Sequence, residues 1–327
     1  MKHVIPTIFL TILIMFLASF SWAQDVQFSQ YYSSPVLVNP SFAGITDKVN
    51  VSLNQRMQIS GVNYSTSGIT LDMPLYKTGG GVGVQFLSDN QAKGALTTLD
   101  LALVYAQPIR INNKWTVSLG GRFAYYQKSL DLTKLTFGDE LDARLGKISQ
   151  SQERISSTQL SNFDGGVGGL LFSDDFFVGL NINHILQPEE SFTSGAANQL
   201  YRKATLHAGY DISLRPYHRT LTTIAPQIII ERQGDLNSLN LGGYLNHGQF
   251  IVGVWYRSSQ TAIIMVGVHR DTWRLGYSYD ATFGASKAAN QAHELSLQFT
   301  FKAPEPKKKI KKAGLKPKCP NFHKHIM

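Results

Sequence analysis

Residues 114–126 read KWTVSLGGRFAYY, and their side chains alternate in character along the stretch. One set is large and apolar: Trp115, Val117, Leu119, Phe123 and Tyr125. The interleaved set is small or polar: Thr116, Ser118, Gly120, Arg122 and Ala124. A period of two residues is typical of a β-strand whose two faces meet different surroundings. The stretch therefore predicts such a strand.

The same alternation recurs along the chain and predicts fourteen strands. Three other stretches show it as clearly: 99–106, 273–280 and 294–302. Weaker or shorter versions occur at 49–56, 66–75, 81–88, 162–172, 175–185, 201–212, 221–231, 236–245, 249–257 and 261–268. At about ten residues each, these strands cover nearly half of the chain, roughly twice the strand content of an average globular protein.

The character of the two faces favours a membrane barrel over a soluble sandwich. A sandwich needs a charged exterior, yet only 16% of the residues are charged. In a transmembrane barrel the apolar face contacts lipid and the polar face lines the interior. The predicted polar faces carry the charges Arg122, Lys203, Asp211 and Arg274. We therefore predict an all-β fold, a transmembrane antiparallel β-barrel of about 14 strands, closed because lipid leaves no partner for a sheet edge.

Aromatic residues and connection lengths fit this prediction. Aromatic side chains near predicted strand ends are expected at the membrane interfaces: Tyr105, Tyr125, Trp255, Tyr256, Trp273 and Tyr279. Counted in chain order, the longest connections are the fifth, seventh and thirteenth, at 127–161, 186–200 and 281–293. All three are odd-numbered, so they lie at the same end of the barrel. Outer-membrane barrels have long external loops and short periplasmic turns. These three connections are therefore expected at the cell exterior.

Both ends of the chain lie outside the predicted barrel, which covers residues 49–302. Residues 1–23 have a charged start, an apolar run and small residues near Ala23, so we predict a secretory signal peptide that is cleaved. Residues 24–48 are rich in aromatic and turn-forming residues, which suits a plug. Residues 303–327 carry eight lysines against one glutamate and supply most of the net charge of +9. We predict that this basic tail lies in the periplasm.

The sequence offers no sign of a catalytic or cofactor site. Its one cysteine cannot form an internal disulfide. The glycine run 79–81 lacks the lysine and the hydroxyl residue of a phosphate-binding loop. We predict a non-enzymatic protein with no cofactor and no bound metal. Nucleic acid is an unsuitable partner despite the basic charge, because a secreted barrel does not meet it.

Residues 24–45, QDVQFSQYYSSPVLVNPSFAGI, resemble the start of the PorP/SprF family of type IX secretion system outer-membrane proteins. The family pattern is an FSQY element followed by an NP element and a glycine. The matching residues here are Phe28, Ser29, Gln30, Tyr31, Asn39, Pro40 and Gly44. Ser41 departs from the pattern, in which a small residue, often alanine, is usual. The stretches 79–89, 178–192 and 319–322 also resemble family elements.

The resemblance implies an outer-membrane component that supports export or surface attachment of large cargo, such as gliding adhesins with a type B C-terminal domain. It also implies periplasmic and outer-membrane type IX partners, with a peptidoglycan-binding protein among the candidates. The family motif is then a candidate interface, although the segment could equally seal the periplasmic mouth. The tail is a candidate docking element or a solvated extension; its candidate residues are Lys307, Lys308, Lys309, Lys311, Lys312 and Cys319.

An alternative function is a passive solute-conducting pore in the outer membrane. Charges of both signs on the predicted polar faces argue against strong ion selectivity but not against a pore. In either case outer-membrane lipid surrounds the barrel.

Overall fold

Fourteen antiparallel strands close into one barrel in the computed structural model, as the alternation predicts. The structure describes residues 25–59, 64–135, 141–142, 146–147, 158–192, 198–214, 222–283 and 291–303. Within these ranges, no helix is both long and apolar enough to cross a membrane.

The strands follow one another around the barrel in chain order. They are β1 (Lys48–Ile59), β2 (Tyr64–Leu75), β3 (Gly80–Gln91), β4 (Leu96–Arg110), β5 (Thr116–Leu130), β6 (Gln159–Phe172), β7 (Phe176–Asn183), β8 (Lys203–Tyr210), β9 (Thr222–Gln233), β10 (Leu236–His247), β11 (Phe250–Arg257), β12 (Thr261–His269), β13 (Trp273–Thr282) and β14 (Gln291–Lys302). The first and last strands pair along their whole length, from Lys48 opposite Lys302 to Ile59 opposite Gln291.

Short elements accompany the barrel. The segment before β1 contains the helix α1 (Pro35–Val38) and a 3-10 turn (Pro40–Phe42). Further 3-10 turns are Ala92–Gly94 and Leu132–Lys134. Ile212–Ser213 continues the edge of β8 beside β9, and Leu141–Asp142 pairs with Gly146–Lys147 in the connection after β5.

The two faces of the wall are arranged as the sequence predicts. In β4, Leu103 points outward and is 63% exposed, whereas its neighbour Ala102 points inward and is 1% exposed. In β5, Phe123 is exposed and Ala124 is fully buried. The outer surface is therefore apolar, which is the arrangement that lipid requires. The inner face is small or polar over much of the wall, but buried apolar side chains such as Ile263 also line it.

One aromatic residue is an exception to the predicted interfacial positions. Trp255 faces the lumen and is 1% exposed, so the prediction of an interfacial position is wrong. The next residue, Tyr256, is exposed on the outer wall. Successive side chains of a strand point to opposite faces, so only one residue of this pair can contact the membrane.

The barrel has two unlike ends. The short-turn end carries the start of β1, the end of β14 and connections such as 76–79, 173–175 and 270–272. The long-loop end carries the fifth, seventh and thirteenth connections, 131–158, 184–202 and 283–290. This is the end that the sequence predicts at the cell exterior.

Candidate functional site: the segment inside the barrel

Residues 25–47, here called the lumen segment, run through the barrel from one end to the other. At the long-loop end, the backbone N–H of Asp25 donates to Gln233, the last residue of β9 (3.1 Å). Towards the short-turn end, the N–H of Gly44 donates to Asp72 of β2 (3.1 Å). The segment thus fills the lumen lengthwise, which differs from a lid over the periplasmic mouth.

The FSQY element is held by a carboxylate of the last strand. The backbone N–H groups of Ser29 and Gln30 donate to the two carboxylate oxygens of Glu294, at 2.7 and 3.0 Å. The Gln30 side chain donates to the Glu294 carbonyl oxygen (2.9 Å) and accepts from the Ser296 hydroxyl (2.6 Å). Glu294 is 1% exposed, so its charge is satisfied mainly by this peptide and by arginine.

The hydroxyl of Ser29 lies among four buried ionised side chains, here called the charged cluster. The cluster consists of Arg56, Arg257, Asp280 and Glu294. Ser29 Oγ accepts from Arg56 (2.8 Å) and from Arg257 (3.2 Å), and it donates to Asp280 (2.7 Å). Arg56 also pairs with Asp280 at 2.8 Å. All four residues lie near the long-loop ends of their strands, so the cluster surrounds the motif there.

Aromatic packing fixes the rest of the element. The Tyr31 ring lies 5.1 Å from that of Trp255, and the Tyr32 ring lies 5.2 Å from Tyr244. Phe28 packs against β2, where a Cβ added to Gly68 would lie 3.0 Å from the Phe28 ring. The motif aromatics therefore pack with inward-facing apolar side chains of the wall.

The NP element packs against the opposite side of the barrel wall. Asn39 is fully buried, and its side-chain amide donates to the carbonyl oxygens of Gly169 (3.1 Å) and Leu180 (3.3 Å). Its Oδ1 accepts from the N–H of Ser41 (2.9 Å), which caps the 3-10 turn begun by Pro40. The same amide lies 3.0 Å from Nε2 of His207.

Glycines in the wall let the segment approach the strands closely. A Cβ added to Gly120 would lie 2.4 Å from the N of Ser41, and one on Gly168 would lie 2.1 Å from Asn39 Oδ1. Gly44 has a φ of +62° and packs on Gly81. The same close approach explains why a small residue, here Ser41, suits its position.

A histidine holds the start of the lumen segment at the long-loop end. His184 contacts Asp164 through Nδ1 (2.6 Å) and Asp25 through Nε2 (3.1 Å). Burial disfavours the imidazolium, but the charge of Asp25 and the hydrogen bonds that the ring donates to both carboxylates outweigh it and raise the pKa of His184 to about 9. Both ring nitrogens are thus occupied by carboxylates, and Lys203 lies 3.7 Å from Asp25.

The structure brings the seven motif residues together in one lumen segment. The predicted signal peptide 1–23 and the candidate tail residues lie outside the described part of the chain, which ends at Ala303. Sequence reasoning missed the charged cluster and the packing of Trp255 on Tyr31. The placement of Asp280 and Glu294 on predicted polar faces was the available signal.

Comparison with known families identifies the chain. Residues 21–299 match the profile of the type IX secretion system membrane protein PorP/SprF. The chain belongs to the PorP/SprF family. It is therefore an outer-membrane β-barrel component of the type IX secretion system, a role that implies interaction with secretion components and cargo in general. In this PorP/SprF protein the FSQY and NP elements lie inside the barrel.

Solved barrels are similar to this PorP/SprF chain at low identity. The P. putida toluene transporter TodX is 10% identical, with a TM-score of 0.46, covering 83% of this chain and 94% of its own. The outer membrane protein Omp33 of Acinetobacter baumannii is 9% identical, with a TM-score of 0.42 and coverages of 78% and 99%. A KdgM porin is 10% identical, with a TM-score of 0.39 and coverages of 77% and 99%. No curated protein matches the sequence significantly.

Proposed function

We propose that this PorP/SprF protein supports export or surface attachment of large cargo, such as gliding adhesins, by binding rather than by conduction or catalysis. The observation that carries the proposal is the lumen segment. A barrel whose interior is occupied by its own chain offers its rims and loops to partners, and its lumen is poorly suited to solute flow.

The buried contacts of the lumen segment support this view over a passive pore. Ser29, Gln30 and Asn39 are each at most 2% exposed, and each is hydrogen-bonded to the wall. Removing the segment would leave buried carboxylates, guanidinium groups and carbonyl groups without partners, which is costly. A conducting state therefore has a large free-energy barrier.

The proposed partners divide between the two ends of the barrel. Cargo with a type B C-terminal domain would meet the long-loop end. Periplasmic components, among them a peptidoglycan-binding protein, would meet the short-turn end. The basic tail, with Lys307–Lys309, Lys311, Lys312 and Cys319, follows β14, whose last residue Lys302 lies at the short-turn end. A periplasmic tail also agrees with a cleaved signal peptide over residues 1–23.

Affinity purification from solubilised outer membrane tests the binding proposal. The full-length protein is expected to recover a surface adhesin and type IX components together. Deletion of residues 304–327 is expected to lose the periplasmic partners and keep the cargo. A full-length variant, in which the five named tail lysines are changed to glutamine, controls for the shorter chain of the deletion variant. Undiminished recovery of periplasmic partners by the deletion variant would count against docking through the tail.

Planar-bilayer recording tests the alternative. The purified protein is expected to show no steady conductance, because the lumen segment occupies the barrel. Stable channels in the unaltered protein would favour the passive pore and would contradict the proposal.

A further inference from the structure

The charged cluster and the first part of β14 form a site that recognises a short peptide segment. We propose that this site is exchangeable: it binds a short peptide with a hydroxyl residue followed by glutamine, bent at the hydroxyl residue as the lumen segment is at Ser29, and the lumen segment is its resident ligand. The inference concerns the site alone and stands whether or not the barrel binds cargo.

The site recognises both backbone and side chains. Two consecutive N–H groups of the peptide donate to Glu294, which fixes a bend at this point because successive N–H groups of an extended strand point to opposite sides. The hydroxyl group, here that of Ser29, accepts hydrogen bonds from two guanidinium groups and donates one to a carboxylate. Alanine at this position would remove one hydrogen bond from each of the three, although Arg56 and Asp280 would keep their ion pair.

The glutamine position is equally specific. The amide of Gln30 donates to the Glu294 carbonyl oxygen, and its carbonyl accepts from Ser296 and from Tyr32. Gly276 makes the space, because a Cβ there would lie 2.4 Å from Gln30 Oε1. A glutamate side chain would place a carboxylate against an acceptor and near Glu294. The site therefore selects a neutral amide.

Buried charge determines how the resident peptide can leave. Asp280 and Glu294 are 1% exposed, and Arg56 and Arg257 are also buried. An empty site would leave these groups poorly solvated, so replacement by a peptide of the same chemistry is favoured over vacancy. The residues around Ser29 are held by hydrogen bonds that such a peptide reproduces.

The rest of the lumen segment is held differently. Asn39 and Ser41 lie against Gly168 and Gly120, where added Cβ atoms would clash with them. These contacts have no ion pairs for a competitor to exchange. The NP element thus stays in place while the FSQY element exchanges, and the exchange occurs at the long-loop end.

Peptide binding to the purified full-length protein tests the inference. The probe is a fluorescein-labelled peptide of residues 25–34, DVQFSQYYSS. The double variant Ser29→Ala/Gln30→Glu weakens the resident ligand, so it is expected to bind the probe at least about tenfold more tightly than the unaltered protein. A control peptide, DVQFAEYYSS, is expected to bind the variant at least about tenfold more weakly than the probe. Equal binding of the two peptides to the variant would overturn the inference.

A second measurement covers failure of that variant to fold. A nitroxide on Val26→Cys, in a protein that also carries Cys319→Ser so that the label meets a single thiol, reports whether the start of the segment is docked. Excess unlabelled DVQFSQYYSS is expected to increase the mobile component of the spectrum, and DVQFAEYYSS is expected to leave it unchanged. An unchanged spectrum at a saturating concentration of the first peptide would also overturn the inference.

Discussion

The side-chain amide of Asn39 donates to the carbonyl oxygen of Gly169 in β6 at 3.1 Å. The same amide reaches the carbonyl oxygen of Leu180 in β7, the residue that faces Gly169 across the two strands. One buried side chain therefore joins the lumen segment to a strand pair of the wall.

Replacing Asn39 by alanine is expected to lower the free energy of unfolding by about 1–3 kcal/mol, because it removes two hydrogen bonds to strand carbonyl groups and leaves the N–H of Ser41 without its side-chain partner. Urea titration, followed by the mobility shift of the folded barrel on gels, measures the change. Asn237→Ala is the control, since Asn237 is exposed near the start of β10 and should change stability by less than about 0.5 kcal/mol. Equal effects would contradict the bridging role.

Substitutions at two adjacent glycines in β5 distinguish the effect of close packing from the effect of strand propensity. A Cβ on Gly120 would lie 2.4 Å from the N of Ser41, whereas a Cβ on Gly121 would meet nothing within 4 Å. Gly120→Ala is expected to cost about 1–3 kcal/mol and to increase cleavage of the lumen segment by protease. Gly121→Ala should stay within about 0.5 kcal/mol of the unaltered protein. Similar behaviour of the two variants would mean that the segment does not pack against β5.

The fold could be predicted from the sequence because lipid imposes a simple rule. Each strand must present apolar residues outward at every second position, so the period itself identifies the strand and its lipid-facing side. Strand ends are less constrained: β4 covers Leu96–Arg110, although the clear alternation covers only 99–106. Pairing continues beyond the apolar belt, where the alternation no longer has to hold.

The interior could be predicted only in part. The motif residues Ser29, Gln30 and Asn39 were found through the family resemblance, and their positions inside the barrel depend on contacts across the lumen. Which strands face one another there follows from the stagger of a closed sheet, which alternation does not encode. Trp255 shows the same limit, because an aromatic residue near a strand end suits either the membrane interface or the packing of Tyr31.

The outward position of Leu103 predicts a strong preference for apolar side chains. Leu103→Arg is expected to destabilise the barrel in lipid vesicles by about 2–4 kcal/mol, because a charge near the middle of the bilayer is poorly solvated. Leu103→Phe is the control and should fold with little loss, since it changes size but not polarity. Folding yield and urea midpoint in vesicles measure both. Full tolerance of arginine would argue that this face does not contact lipid.

The His184–Asp25 contact predicts a pH-dependent anchor for the start of the lumen segment. The folded protein raises the pKa of His184 from an ordinary 6.5 to about 9, so the imidazolium stabilises the docked state. This contribution is fully present below pH 6.5 and is lost as the pH rises through about 9. Asp25 and Asp164 contact the imidazole, Lys203 lies 3.7 Å from Asp25, and Arg122 lies 3.7 Å from Asp164. The nitroxide on Val26→Cys should therefore become more mobile between pH 6.5 and pH 10.

The variant His184→Asn decides whether the histidine causes that change. Residue 184 has a φ of +55°, and asparagine adopts this left-handed conformation more readily than most side chains. Asparagine cannot become charged, so the variant should show a mobile segment already at neutral pH and no further change up to pH 10. If the variant and the unaltered protein followed the same pH profile, another group would control the anchor.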